Sequence, residues 1–200
     1  MSRTDSKRGQ RSAAKALPLE IRDLTPDLWP SFEKLFGANG ACAGCWCMWW
    51  RLREGEKFMQ IHGAEARRRQ KALVMRGESH GLLAFSGAEP VGWCAYGRRT
   101  EFTALARSRT LACDDVDEVW SLPCFFIKSG WRGRGVGRVL LRAALDRLRA
   151  RGARIAEAYP VRPPATNSTA FTGTVPWLES EGFRVLTDRP RGRQRARRML

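Results

Sequence analysis

A mixed α/β fold built on one sheet is the class this sequence predicts, and three observations lead to it. The unit from Val116 to Tyr159 runs strand, glycine-rich turn, helix, strand. Two apolar runs, Gly81–Gly87 and Pro90–Tyr96, lie so close together that they read as a hairpin. No segment repeats another, so the chain is expected to hold a single domain over residues 18–200, behind a basic tail over residues 1–17.

Taken in order, Leu19-Glu20-Ile21-Arg22 alternates and reads as a first strand. Thr25 and Pro26 supply a cap and a first helical residue, and the helix runs through Leu28, Phe32, Leu35 and Phe36 before stopping at Gly37. A loop leads into Cys42-Ala43-Gly44-Cys45-Trp46-Cys47-Met48-Trp49-Trp50-Arg51, and a polar, arginine-rich helix follows from Gly63 to Val74. After the hairpin, Val116–Ile127 is apolar and aromatic enough for a long strand, with Pro123 as its point of interruption. Val136, Val139, Leu140, Ala143, Ala144 and Leu148 recur at helical spacing, and Gly152 is placed to end that helix. Arg154–Tyr159 is a further strand. Phe183–Leu186 introduces an arginine-rich closing stretch, expected as a charged edge strand with disorder as the alternative.

The 36 Lys and Arg residues outnumber the 20 Asp and Glu residues, giving a formal charge of +16 that favours polyanions or anionic ligands as partners. Part of that charge is terminal. Arg3, Lys7, Arg8, Arg11 and Lys15 face only Asp5 in a tail expected to be disordered. Arg184, Arg189, Arg191, Arg193, Arg195, Arg197 and Arg198 crowd the other end. Neither tail interleaves aromatics with its cations, so nonspecific nucleic-acid contact is the most they suggest. No apolar run is long enough to span a bilayer, and no apolar stretch follows the basic N-terminus as in a secretory signal. Six cysteines without an export signal favour reduced thiols and a cytoplasmic location.

A strand that ends in a glycine-rich turn and feeds a helix suits a phosphate group. The first helical amides have no internal partner and point outward with the positive end of the helix dipole. In Arg132-Gly133-Arg134-Gly135-Val136-Gly137, glycines allow close approach and Arg132, Arg134 and Arg138 add cations. The turn lacks the Gly-Lys-Ser/Thr of a nucleotide-binding P-loop and the third glycine of a dinucleotide fingerprint.

Phe125-Phe126-Ile127-Lys128-Ser129-Gly130-Trp131-Arg132-Gly133-Arg134-Gly135-Val136-Gly137 resembles the acetyl-CoA signature of the GNAT superfamily of N-acetyltransferases. Glu179-Ser180-Glu181-Gly182-Phe183 is similar to the helix end and strand start near the C-terminus of that fold. The resemblance implies a mostly antiparallel central sheet, splayed at a cofactor slot and flanked by helices. It implies acetyl-CoA as cosubstrate, with Phe125, Phe126 and Ile127 offering backbone groups to the pantetheine arm. Arg132, Gly133, Arg134, Gly135, Val136, Gly137 and Arg138 then cradle the pyrophosphate. The implied acceptor is a primary amine, on a small molecule or an amino-acid derivative, attacked directly; a homodimer is compatible with this reading.

Acyl transfer to an amine needs a proton acceptor, donors for the developing oxyanion, and often an acid for the thiolate. Glu157 and Glu118, on the two central strands, are the candidate bases, although either could instead face solvent or pair with an arginine. The family often carries a tyrosine acid four residues before the Gly-Phe pair. Leu178 stands at that position, beside Trp177, and Tyr159 is the candidate substitute.

Cys42, Cys45 and Cys47 invite a zinc or redox reading. A tetrahedral zinc site lacks an evident fourth ligand, since only His62 and His80 are present besides distant cysteines, so pocket or core lining is the expectation and no metal is assigned. Trp46, Trp49 and Trp50 either anchor the core or line the acceptor cleft, in which case the acceptor has an apolar or aromatic part. Two other readings stay open: a CoA-binding sensor without catalysis, and a nucleic-acid-binding module using the basic tails.

Overall fold

The computed structural model describes residues 18–166, 168–187 and 189–200. The tail expected to be disordered, residues 1–17, lies outside the described residues. Seven strands form one sheet in the order β1-β2-β3-β4-β5-β7-β6. These are β1 (Glu20–Asp23), β2 (Gly81–Ser86), β3 (Glu89–Arg98), β4 (Val119–Ile127), β5 (Ile155–Ala158), β6 (Arg184–Val185) and β7 (Ala196–Met199). All neighbours are antiparallel except β4 and β5. The helices are α1 (Trp29–Phe36), α2 (Phe58–Ile61), α3 (Ala64–Met75), α4 (Thr103–Ala106), α5 (Val136–Ala150) and α6 (Val175–Ser180). None of the described helices is long and apolar enough to cross a membrane.

Both faces of the sheet are covered. α5 turns Val136, Leu140, Leu141, Ala144, Leu145 and Leu148 toward Leu82, Ala84, Trp120 and Leu122, the 3.6-residue stripe meeting the two-residue alternation of the strands. It packs closely because Gly92 of β3 has no side chain; a Cβ there would stand 2.8 Å from Val136 and 2.9 Å from Leu140. On the other face Trp29, Phe32 and Phe36 of α1 meet Leu83, Phe85 and Trp93. Phe32 stands edge-on to the Trp93 indole at 4.9 Å.

Two sequence expectations change here. The long strand begins at Val119 rather than Val116, because residues 116–118 belong to a turn in which Glu118 N–H donates to Asp115 O at 3.1 Å. Glu118 is therefore exposed and off the strand. The closing arginine-rich stretch does form a strand, β7, but not at an edge: it inserts between β5 and β6. The reason lies in the partners it finds there. Glu157 of β5 stands opposite Arg197, and Arg197 also makes a two-pronged pair with Asp115 at 2.7 Å.

Candidate functional site

β4 builds the cleft by losing one neighbour halfway along. Val119–Leu122 pair with Ile155–Ala158, and the parallel ladder stops there. At the same point Leu122 and Pro123 together stand opposite Tyr96, a bulge that bends β4 away. Trp50 occupies the base of the gap, its indole N–H donating to the Pro123 carbonyl at 2.9 Å. Beyond the bulge, Lys128 N–H donates to Val91 O at 3.0 Å. Alternation along the strand then gives the main-chain groups of Phe126 to β3 and directs those of Phe125 and Ile127 to the open edge. Consistently, Arg132 Nε donates to Ile127 O at 3.1 Å.

A cavity of about 760 Å³ follows this open edge. Phe125, Phe126 and Ile127 form one wall, the segment Trp131–Arg138 closes one end, and Thr174 and Trp177 face them. Gly133 and Gly135 have φ of +72° and +85°, a left-handed conformation that side chains disfavour. A Cβ on either would meet no atom within 4 Å, so the turn presents bare backbone to open space. Gly135 also begins α5, whose first-turn amides have no helical carbonyl ahead of them.

The arginines of the turn divide. Arg132 borders the cavity. Arg134 does not line it; its guanidinium lies 5.5 Å from the centre of the Trp131 ring. Arg138 borders the cavity but is tied to α6, with Nε 2.5 Å from Glu181 Oε1 and a further bond to Ser180 Oγ at 3.2 Å. Arg142 shares Glu181 at 2.9 Å, so this pair of arginines fixes α6 against α5. That contact holds Trp177 over the cleft, edge-on to Phe125 at 5.0 Å. Leu178, at the position where the resemblance led one to look for an acid, is fully buried.

A second cavity, about 270 Å³, adjoins the first and shares Ala41, Cys42, Phe125, Phe126 and Phe171 with it. Its remaining wall includes Cys45, Cys47, Trp49, Trp50, Phe58 and Cys124, with Arg193 as the one charged residue among those described. The loop that forms it is strained: Ala41, Ala43, Trp46 and Cys47 all have positive φ, each costing roughly 1–2 kcal/mol relative to ordinary backbone. Trp46 holds it down, stacked on Phe36 at 5.6 Å and on Trp29 at 6.3 Å. Its ring sits where a Cβ of residue 40 would be, 2.2 Å away at Nε1, which is why Gly40 is needed.

The tryptophans thus separate by role. Trp46 is a core anchor, while Trp49 and Trp50 line the cavity. Cys42, Cys45, Cys47 and Cys124 line the same cavity. A hydrogen bond from Cys124 and another from the Trp93 indole N–H, at 3.3 Å, hold the Cys47 thiol below its ordinary range against the opposing effect of burial. Burial pushes Cys45 up. Among the described residues, no group of three or more His, Cys, Asp or Glu side chains is arranged to hold a metal ion.

The three acid–base candidates stand apart from both cavities. Glu118 is in the exposed turn described above. Glu157 is fully buried, its Oε1 2.6 Å from Arg99 Nη1 and its Oε2 2.6 Å from Arg197 Nε. The Tyr159 hydroxyl completes the cluster, bonded to Ser121 Oγ at 2.6 Å, Arg99 Nη1 at 2.7 Å and Glu157 Oε1 at 3.0 Å. Burial first, and the Glu157 charge second, push the Tyr159 phenol well above its ordinary range. A carboxylate sealed among guanidinium groups cannot reach an amine in either cavity, and a sealed phenol cannot meet a leaving group. Sequence reading singled out these residues because they sit on the central strands; it had no signal for Phe171, Thr174 or Arg193, which only the folded chain brings to the cavities.

The profile of the acetyltransferase (GNAT) family matches residues 39–172. Solved structures share the fold. A GCN5-related N-acetyltransferase from Kribbella flavida is 21% identical, with a TM-score of 0.55, covering 91% of this chain and 98% of its own. An acetyltransferase from Thermus thermophilus is 21% identical, with a TM-score of 0.52, covering 92% and 99%. A ribosomal-protein-alanine N-acetyltransferase from Brucella melitensis is 17% identical, with a TM-score of 0.56, covering 90% and 99%. No curated protein matches the chain.

Proposed function

Because the chain belongs to the acetyltransferase (GNAT) family, we propose that it moves an acetyl group from acetyl-CoA onto a primary amine by direct attack. In this reading residues 18–200 form the catalytic unit. The observation that carries it is the parting of β4 from β5 after Leu122, with a bare, left-handed glycine turn at the end of the opened edge. The cavity there, about 760 Å³, changes along its lining from apolar strand to cationic turn, as a pantetheine arm ending in a pyrophosphate requires.

Phe125 and Ile127 offer main-chain groups to the arm. Arg132, the backbone of Gly133 and Gly135, and the first-turn amides of Val136, Gly137 and Arg138 hold the pyrophosphate, with Arg134 adding charge from the rim. The amine enters from the smaller, apolar cavity and meets the thioester where the two cavities join. Its nitrogen forms a bond to the carbonyl carbon, the carbon–sulfur bond breaks, and CoA leaves as a thiolate that takes a proton from solvent. Water accepts the proton of the amine, since among the described residues neither cavity has a carboxylate or histidine in its wall. Glu157, Glu118 and Tyr159 have no direct part in this scheme.

The absence of such a group is also the one observation that favours a CoA-binding sensor. Release of free thiol from acetyl-CoA across a panel of amines separates the two: amine-dependent release supports the transferase, and tight binding with no release for any amine supports the sensor. The nucleic-acid reading loses support at the C-terminal end. Arg197 is paired with Asp115 and Glu157, Arg198 donates to Glu181 O at 2.6 Å, and Arg195 donates to Ala112 O.

A further inference from the structure

Arg193 is the anomaly of the smaller cavity. Its guanidinium faces two aromatic rings, 5.2 Å from Trp50 and 4.9 Å from Phe171. Its Nε is buried without a hydrogen-bond partner, and among the described residues no carboxylate pairs with it. Arg195 Nε is likewise without a hydrogen bond, but Arg195 and Arg197 both approach the Glu157 carboxylate and Arg198 is bonded to a carbonyl. Burial also weakens its hold on the proton. Arg193 as a whole is only partly buried; ring contacts offset part of the cost of drawing its guanidinium out of water, and a partly desolvated cation without a carboxylate favours an anion beside it.

Apart from the Ser168 hydroxyl, the rest of the wall is mostly aromatic carbon and cysteine sulfur, so the cavity offers one cation to a mostly apolar guest. Its volume of about 270 Å³ suits a group the size of an amino acid. We infer that the acceptor is a small amine carrying a carboxylate on an apolar skeleton, an apolar or aromatic amino acid, with the carboxylate on Arg193 and the skeleton against Trp49, Trp50 and Phe58. This rests on the acetyl-transfer reading of the same site and narrows its acceptor. The two rings flanking the guanidinium orient its donors, and their desolvated setting strengthens the charge–charge contact. Arg193 also borders a smaller hollow beside Trp49 and Leu52, so the variant comparison below tests the residue and the paired-ligand comparison tests the cavity.

The experiment compares matched pairs that differ only in the carboxylate: L-phenylalanine with phenethylamine, L-leucine with isoamylamine, L-methionine with 3-(methylthio)propylamine, and L-tryptophan with tryptamine. Acetyl-CoA binding is measured first by calorimetry, which tests the acetyl-transfer reading by itself. With binding established, kcat/KM is measured for each pair, together with calorimetric binding of the N-acetylated products to the CoA-loaded protein. At least one acid is expected to exceed its amine by about ten-fold or more, the scale of one charged contact. Arg193→Met, which keeps an apolar filler between Trp50 and Phe171, is expected to reduce that ratio to near unity through KM, and Arg193→Lys to keep part of it. A wild type that binds acetyl-CoA but favours no acid over its amine, in turnover or in product binding, overturns the inference and leaves the transferase reading standing. An acid preference that survives in a folded Arg193→Met also overturns the assignment to Arg193. The wild-type pairs decide the question even if both variants fail to fold.

Discussion

Arg99 Nη1 stands 2.6 Å from Glu157 Oε1, and neither side chain is more than 2% exposed. Arg197 completes the enclosure from β7, and Arg99 Nη2 also donates to the Leu111 carbonyl at 2.5 Å. This cluster ties the turn after β3, the loop before β4, and strands β5 and β7 into one unit. Glu157→Ala strands the buried Arg99, while Arg197 keeps Asp115, and is expected to cost on the order of 3–5 kcal/mol of stability, the usual penalty for breaking a buried pair. Chemical denaturation measures it. Assayed at a temperature where the variant is folded, acetyl-CoA affinity should stay near wild type; a selective loss of kcat in a fully stable variant would restore Glu157 as a base.

Asp115 makes the same cluster sensitive to acid. Hydrogen bonds from Arg197 lower its pKa from 3.8 to about 2. A carboxylate whose folded pKa is depressed stabilises the fold fully above its unfolded value and loses that contribution as pH falls through the folded one. Denaturation curves between about pH 4 and about pH 2 should therefore be steeper in pH for the wild type than for Asp115→Asn. Equal slopes would show that the Arg197 pair does not contribute.

With no carboxylate or histidine among the described residues of either cavity wall, the pH dependence of turnover should belong to the substrate. For a given amine, kcat/KM is expected to rise with pH until the amine's own pKa and then level off. Changing to an amine of lower pKa should move the plateau down by the same amount. A rising limb that keeps one position for every amine would reveal a titrating group of the protein.

Cys42 is the exposed thiol of the chain's cysteines and borders both cavities. Alkylation by iodoacetamide should modify it first, block turnover, and be slowed by acetyl-CoA. Cys42→Ala is expected to retain activity and resist the reagent. Inactivation of that variant at the wild-type rate would place the sensitive thiol elsewhere, with Cys47, held below its ordinary range by Cys124, as the next candidate.

How much of this was legible in the sequence depended on whether the signal was local. The turn at Arg132–Gly137 and the helix behind it were readable because glycine positions, cations and a 3.6-residue stripe are adjacent in the chain. Pro123 marked the bulge for the same reason. Glu118 and Glu157 were not separable, since both are carboxylates in or beside apolar runs that read as central strands; only the folded chain shows one sealed by arginines and the other outside the strand. The insertion of β7 between β5 and β6 was hidden because its arginines resemble a solvated edge until Asp115 and Glu157 are seen beside them. Arg193 was lost in the same charge run, and what distinguishes it is a guanidinium set against Trp50 and Phe171 with no carboxylate partner among the described residues, which a sequence does not display.

The central claim is that the opened edge of β4 and the turn after it hold acetyl-CoA, and calorimetric titration tests it most directly. Wild-type protein should bind acetyl-CoA at one site per chain. The double variant Arg132→Glu, Gly135→Glu replaces a cation and a left-handed glycine with carboxylates, and should bind it at least about a hundred-fold more weakly while its melting transition persists. Failure of the wild type to bind acetyl-CoA, or equal binding by a folded double variant, would contradict the account.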